Sequence, residues 1–110
     1  MTRTFIQTDE FSFRWDALGF NDDDLRRLEF DIMMKHDKYP VIQGTGGLRK
    51  ARFAFEHRSK SGGVRVCYVD FVVKETIYLI TVYSKNQKDN LSKEEKNEIR
   101  KLIDVLEKSI

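Results

Sequence analysis

The chain has 110 residues, 40% of them apolar and 12% aromatic, with a formal net charge of +2. This length predicts one globular domain, residues 1–110, and the composition excludes a disordered chain. A single cysteine, Cys67, excludes an internal disulfide and fits a reducing cytoplasm, and no apolar run reaches the length of a membrane span or forms a signal peptide.

The first twenty residues predict a short strand and a short helix. Residues 4–8, TFIQT, favour a strand. Phe11, Trp15 and Leu18 then recur at the spacing of one helical face. Gly19 predicts the end of this helix.

A second helix is predicted from Asn21 to about Lys35. Asn21 suits an N-cap, and the aspartates at 22–24 lie where the helix dipole favours acids. The apolar face of this helix consists of Leu25, Leu28, Ile32 and Met33. The helix must end before Pro40, because proline lacks the amide donor and restricts the residue before it.

Three strand-like runs and a last helix complete the chain. The runs are residues 49–55, 64–71 and 76–83, and the third is apolar on both faces, as in a central strand. Ser92 and Glu95 predict a capping box. The apolar stripe of the helix after it is Ile99, Leu102, Ile103, Leu106 and Ile110. The predicted order, β-α-α-β-β-β-α, is an α+β domain in which helices pack on an antiparallel meander in two or three layers.

Positive charge is concentrated in the middle of the chain. Residues 1–40 hold six Lys/Arg against nine Asp/Glu, residues 41–88 hold nine against three, and residues 89–110 hold five against six. The middle segment therefore carries a net +6. Such a block indicates a polyanion or an acidic partner, although a solvated basic face has the same pattern.

The basic segment opens with a glycine-rich stretch, GTGGLRKARF at residues 44–53. It matches neither the phosphate loop GxxxxGK[ST] nor the dinucleotide fingerprint GxGxxG, because Arg49 occupies the place of the last glycine in both. We therefore expect these glycines to turn the backbone sharply into a strand.

No metal or cofactor site is predicted. His36 and His57 are 21 residues apart, and Cys67 stands alone in a strand pattern. Cys67 is therefore expected to be a small core residue rather than a nucleophile.

The strands offer a different chemistry. Lys50 and Arg52 share one strand face, Arg65 begins the next strand, and Tyr83 and Lys85 end the third, so neighbouring strands can bring them to one patch. Such a patch suits metal-free cleavage of RNA, in which the 2′-hydroxyl attacks the adjacent phosphate and arginines neutralise the developing charge. A lysine or tyrosine could relay protons if neighbouring cations lower its pKa. We expect Arg65 to be an exposed cleft residue.

Three runs carry a resemblance to a known family: PVIQGTGGLRKARF, SGGVRVCYV and YLITVYSKNQKDNLS. They resemble RelE/HigB-type toxins of bacterial type II toxin–antitoxin modules. The resemblance implies the RelE-like, microbial-ribonuclease-like fold. It also implies an endoribonuclease (an mRNA interferase) that cuts messenger RNA in the ribosomal A site and inhibits translation, and a cognate antitoxin that binds it.

The resemblance also implies roles for single residues. Lys50, Arg52, Arg65 and Lys85 match the basic positions of the family motifs, with Arg65 stabilising the phosphate, and Tyr83 is the candidate for base stacking or proton transfer. These five are the predicted catalytic residues. RNA binding is assigned to Arg49, Arg58 and Lys60, with His57 a further candidate.

Two other functions stay open. A ParE-like toxin has the same fold but poisons DNA gyrase, and a non-catalytic binding module would only help to repress its operon. The GLRKxR run, the RxxY run and the lysine after the last strand favour the ribonuclease.

Overall fold

The computed structural model describes residues 2–54 and 63–109. Its elements are β1 (Thr4–Gln7), α1 (Asp9–Ala17), α2 (Asp22–Lys35), β2 (Arg49–Phe53), β3 (Val64–Phe71), β4 (Thr76–Ser84) and α3 (Lys93–Lys108). The predicted order is confirmed. β2 ends two residues before the predicted limit at Phe55, which lies outside the described residues.

The four strands form one mixed sheet in the order β1-β4-β3-β2. The predicted meander is confirmed, because β2 pairs antiparallel with β3 and β3 with β4. β1 pairs parallel with β4, so β4 is the central strand that its apolar faces predicted.

Helices cover both faces of the sheet, which gives three layers. On one face, α1 and α2 pack through Phe11, Trp15, Leu28 and Ile32 against the sheet. The strand residues in this cluster are Ala51, Val64, Val66, Tyr68, Ile77, Leu79 and Val82. On the other face, α3 and the loops before β2 and α3 pack on the sheet, and the buried residues there are Leu48, Cys67, Val69, Ile80, Tyr83, Leu91 and Ile103.

The helix ends follow the capping pattern of the sequence. Asn21 and Ser92 both form capping boxes, with Asp24 and Glu95 respectively. Leu102 belongs to the predicted apolar stripe of α3 but is 37% exposed, so the buried face of this helix is narrower than the stripe. Ile110, the last residue of the predicted stripe, lies outside the described residues. Within the described ranges, no helix has the length and apolarity needed to cross a membrane.

The glycine-rich stretch is a tight loop that reverses the chain into β2. All three of its glycines have positive φ, between 81° and 118°. The buried Thr45 holds the loop, because its hydroxyl donates to the carbonyl of Ile42 (2.6 Å) and accepts from the amide of Leu48 (3.0 Å). The expected turning role of these glycines is confirmed.

A buried ion pair fastens the N-terminal segment to the end of β3, an inner strand of the sheet. Nε of Arg3 donates to Oδ1 of Asp70 at 2.7 Å, and the two side chains are 4% and 6% exposed. Nδ1 of His36, at the end of α2, lies 3.1 Å from Oδ2 of the same carboxylate. Tyr68 donates its hydroxyl to the carbonyl of His36 at 2.8 Å. These contacts therefore join β3 to the N-terminal segment and to the end of α2.

Candidate functional site

Three of the predicted site residues form a row across adjacent strands. Arg52 on β2 pairs with Arg65 on β3, and Arg65 pairs with Tyr83 on β4. Paired residues in a sheet share a face, so these three side chains start from the face that α3 covers further along the strands. Lys50 lies two residues before Arg52 and shares that face.

Gly63 allows the ends of β2 and β3 to approach closely. Its φ is +72°, and a Cβ atom placed on it would lie 2.3 Å from the carbonyl oxygen of Phe53. Any other residue would therefore have to push the two strand ends apart. Gly63 thus contributes to the spacing that puts Arg52 beside Arg65.

A polar cleft of about 320 Å³ opens where these strands end. Its lining residues are Lys50, Arg52, Arg65, Lys85, Asp89 and Asn90. Four of the five predicted catalytic residues therefore share one cleft. A cleft lined by four cations attracts a polyanion and can hold a phosphate by charge and by the guanidinium forks.

Arg65 differs from the sequence prediction in its burial. It is 6% exposed, whereas we expected an exposed cleft arginine. Arg65 lies on an inner strand between Arg52 of β2 and Tyr83 of β4, a placement that periodicity within one strand does not reveal. A guanidinium that is held in this way is preorganised towards the cleft, and its loss also removes buried packing.

Tyr83 lies beneath the cleft and is 2% exposed. Burial and then Cys67 raise the pKa of its phenol well above the ordinary value, and the charge of Arg65 opposes this shift. A proton relay requires a lowered pKa, so the raised pKa of Tyr83 does not fit that role. Because the side chain is buried, neither face of its ring is free to stack on a base. The hydroxyl instead makes a long hydrogen bond of 3.5 Å to the carbonyl of Asp89, and Nζ of Lys88 lies 5.0 Å from the ring centroid.

Cys67 is fully buried beside this tyrosine, as the sequence predicted. Burial raises the pKa of its thiol to about 12. The thiolate is therefore absent at neutral pH, which fits a packing residue and not a nucleophile.

Arg49, one of the predicted RNA-binding residues, does not join the cleft. Arg49 points to the opposite face of the sheet, where its guanidinium donates to the carbonyl of Tyr39 at 2.6 Å. Arg58, Lys60 and His57 lie outside the described residues.

Two cleft residues, Asp89 and Asn90, were missed by the sequence interpretation. Nζ of Lys50 donates to Oδ1 of Asn90 at 3.2 Å, which links β2 to the loop between β4 and α3. The sequence feature that could have indicated them is their position in the run SKNQKDNLS, between Lys85 and Ser92, the N-cap of α3.

The loop that carries these two residues is fixed from the helix side. Lys88 pairs with Glu95, which also accepts from the amide of Ser92 at 2.8 Å in the capping box. The hydrogen bond from Lys88 is the main cause that lowers the pKa of the Glu95 carboxyl, followed by the backbone bond from Ser92. The α3 N-terminus thus positions the loop over Tyr83.

No group of three or more His, Cys, Asp or Glu side chains could hold a metal ion within the described ranges, residues 2–54 and 63–109.

The sequence matches a protein-family model. Residues 40–109 match the family model described as "RelE toxin of RelE / RelB toxin-antitoxin system". The matched segment runs from Pro40, four residues before Gly44, to Ser109, just after α3, and contains every cleft residue named above.

Solved structures share the fold, among them two of E. coli proteins. A variant of the E. coli toxin RelE in the free state aligns with a TM-score of 0.55 and 13% identity, over 81% of this chain and 90% of that chain. The intact E. coli RelBE toxin–antitoxin complex contains a chain that aligns with a TM-score of 0.52 and 13% identity, over 76% of this chain and 96% of that one. At this identity, the likeness establishes the shared RelE-like α+β fold.

Proposed function

Because the chain belongs to the RelE toxin family of RelE/RelB toxin–antitoxin systems, we propose that it is an endoribonuclease that cleaves messenger RNA in the ribosomal A site and arrests translation. The observation that carries this proposal is the cleft in which Lys50, Arg52, Arg65 and Lys85 converge from neighbouring strands and the loop after them.

The proposed chemistry uses the nucleophile of the substrate itself. The 2′-oxygen of a ribose attacks the adjacent phosphorus, the bond from phosphorus to the 5′-oxygen breaks, and the products are a 2′,3′-cyclic phosphate and a 5′-hydroxyl. Charge builds on the phosphoryl oxygens, and Arg52 and Arg65 stabilise it with paired hydrogen bonds. Lys50 and Lys85 add charge to this cleft and can donate a proton to the leaving oxygen.

In this proposal Tyr83 positions other groups and does not react. Its buried ring lies under the cleft, next to Arg65 in the strand register and under Lys88 of the loop. A rigid ring at this place supports both the guanidinium of Arg65 and the backbone of Asp89.

We also propose a protein antitoxin as partner. One of the similar structures, E. coli RelBE, is a toxin–antitoxin complex. An antitoxin of this chain would neutralise it by covering or deforming the cleft, and an acidic or amphipathic segment is the complement of four clustered cations. A complex that leaves Lys50, Arg52 and Arg65 accessible and correctly arranged would contradict this mode of inhibition.

Expression without an antitoxin, together with translation of a reporter mRNA in vitro, separates the proposal from its two alternatives. We expect arrest of growth and of protein synthesis, with mRNA cut in register with the codons. Gyrase-linked DNA breaks with intact mRNA would show a ParE-like poison. Normal translation in the presence of folded protein would show a binding module.

A further inference from the structure

We propose that Asp89 is the general base of the cleft, the group that removes the proton from the attacking 2′-hydroxyl. This inference rests on the ribonuclease function proposed above and adds the group that the arginines and lysines do not supply. It starts from the position of Asp89 among the cleft residues, beside four cations and one amide.

The first argument is the protonation state of the cleft residues. A base must be deprotonated before it can accept a proton. Arginine side chains are charged at any working pH, lysines are mostly protonated at neutral pH, and an amide oxygen is not basic. The buried phenol of Tyr83 beneath the cleft also stays protonated. Of the six residues that line the cleft in the described part of the chain, Asp89 is the one with a carboxyl group, the side chain among them that can accept a proton from a hydroxyl.

The second argument is positioning. Asp89 is exposed, but the loop around it is fastened at three points. Tyr83 donates to its carbonyl, Lys88 on one side is held by Glu95 and the ring of Tyr83, and Asn90 on the other side accepts from Lys50. These contacts fix the backbone around Asp89 and so hold the position from which its carboxylate enters the cleft, which is what a general base requires.

The third argument is the charge around the carboxylate. Lys50 and Arg52 of β2, Arg65 of β3 and Lys85 of the loop after β4 line the same cleft, and the neighbouring Lys88 is paired with Glu95. The phosphate that these cations hold would bring the neighbouring ribose to the carboxylate. The proton passes from the 2′-oxygen to Asp89, and the leaving 5′-oxygen takes a proton from a lysine of the cleft. Exchange with water then restores both groups, so the cycle balances.

The test is Asp89→Asn, which keeps the shape of the side chain and removes the base. We expect the single-turnover rate of RNA cleavage to fall by roughly 10²-fold or more. The wild-type rate should decline at acid pH, whereas the residual rate of Asp89→Asn should lack this limb and rise with hydroxide concentration. Binding to a substrate with a 2′-deoxy nucleotide at the cleavage site should be as tight or tighter, because a negative charge is lost.

Asp104→Asn is the matched control, since it removes an exposed carboxylate from α3 away from the lining of the cleft. It should cleave and titrate as the wild type does. Asp89→Glu is the second variant: it should keep the acid limb at a reduced rate, and it decides the question if Asp89→Asn fails to fold. Cleavage by Asp89→Asn within threefold of the wild-type rate and with the same pH profile, or an Asp89→Glu protein without the acid limb, would overturn the assignment. A wild-type protein that cuts no RNA would instead refute the proposed function itself.

Discussion

The side chain of Arg65 combines two properties that rarely occur together, because it is 6% exposed and still lines the cleft. Its stem packs within the sheet, and its charge faces the place where a phosphate would bind. A guanidinium in this position offers two parallel bonds and cannot lose its proton. The catalytic and structural effects of replacing it must therefore be measured separately.

We predict that Arg65→Lys lowers the single-turnover cleavage rate by roughly 10²-fold, because a point charge cannot reproduce the fork of donors at the transition state. Arg65→Ala should be at least as slow and should also melt at a lower temperature, since its buried stem is lost. The measurement is single-turnover cleavage beside a thermal melt. Arg26→Ala, which removes an exposed arginine from α2, is the control and should match the wild type in both. An Arg65→Lys protein that cuts within threefold of wild type would remove this residue from the site.

Residue patterns identified the group of cleft cations but not their environment. Alternation within β2 put Lys50 and Arg52 on one face, and the register then confirmed Arg65 as the neighbour of Arg52. The burial of Tyr83 could not be predicted, because it depends on the loop and the helix that fold over the end of β4. The same holds for Asp89, whose place in the cleft is set by contacts across the sheet.

The N-terminus of α3 is the element that connects the fold to the site. Its capping box uses Ser92 and Glu95, and the same glutamate holds Lys88 above the ring of Tyr83. The cap, a local feature that the sequence predicted, thus becomes part of a tertiary contact. The parallel pairing of β1 with β4 lacked such a local signal, since it depends on the path of the chain through two helices.

This cap makes stability depend on pH. The pKa of the Glu95 carboxyl is lowered in the folded protein, chiefly by Lys88, so its stabilisation is present above the ordinary carboxyl range and is lost as pH falls through the lowered folded pKa. We predict that Glu95→Gln lowers the melting temperature at pH 7 and that its difference from the wild type shrinks at about pH 3. Glu98→Gln, an exposed position on the same helix, is the control. A difference that stays constant between the two pH values would contradict this linkage.

At the scale of the whole molecule, the ion pair of Arg3 and Asp70 joins the first residues of the chain to a strand that also carries Arg65. The pair is enclosed, and His36 adds a third contact from the end of α2. Breaking a buried pair leaves one charge without its partner, which usually costs more than the intact pair contributes.

We predict that Arg3→Ala lowers the free energy of unfolding by about 3–5 kcal/mol, a large part of the stability of a domain of this size. Adding Asp70→Asn to Arg3→Ala should recover part of the loss, because the second change removes the uncompensated charge. Chemical denaturation of the two single variants and the double variant measures this coupling. Equal and additive losses would show that the two side chains do not act as a pair.

The central claim is that the cleft cuts messenger RNA through the 2′-hydroxyl of the substrate. The most direct measurement is the chemistry of the RNA ends after incubation with purified, antitoxin-free protein. The assay uses a minimal RNA in the presence of a chelator, and mRNA on ribosomes kept intact by polyamines. We predict cuts within the A-site codon, ends with a 2′,3′-cyclic phosphate and a 5′-hydroxyl, and loss of both with Arg52→Ala. RNA that stays intact beside folded protein, or cuts that need a chelatable metal and leave 5′-phosphate ends, would contradict the account.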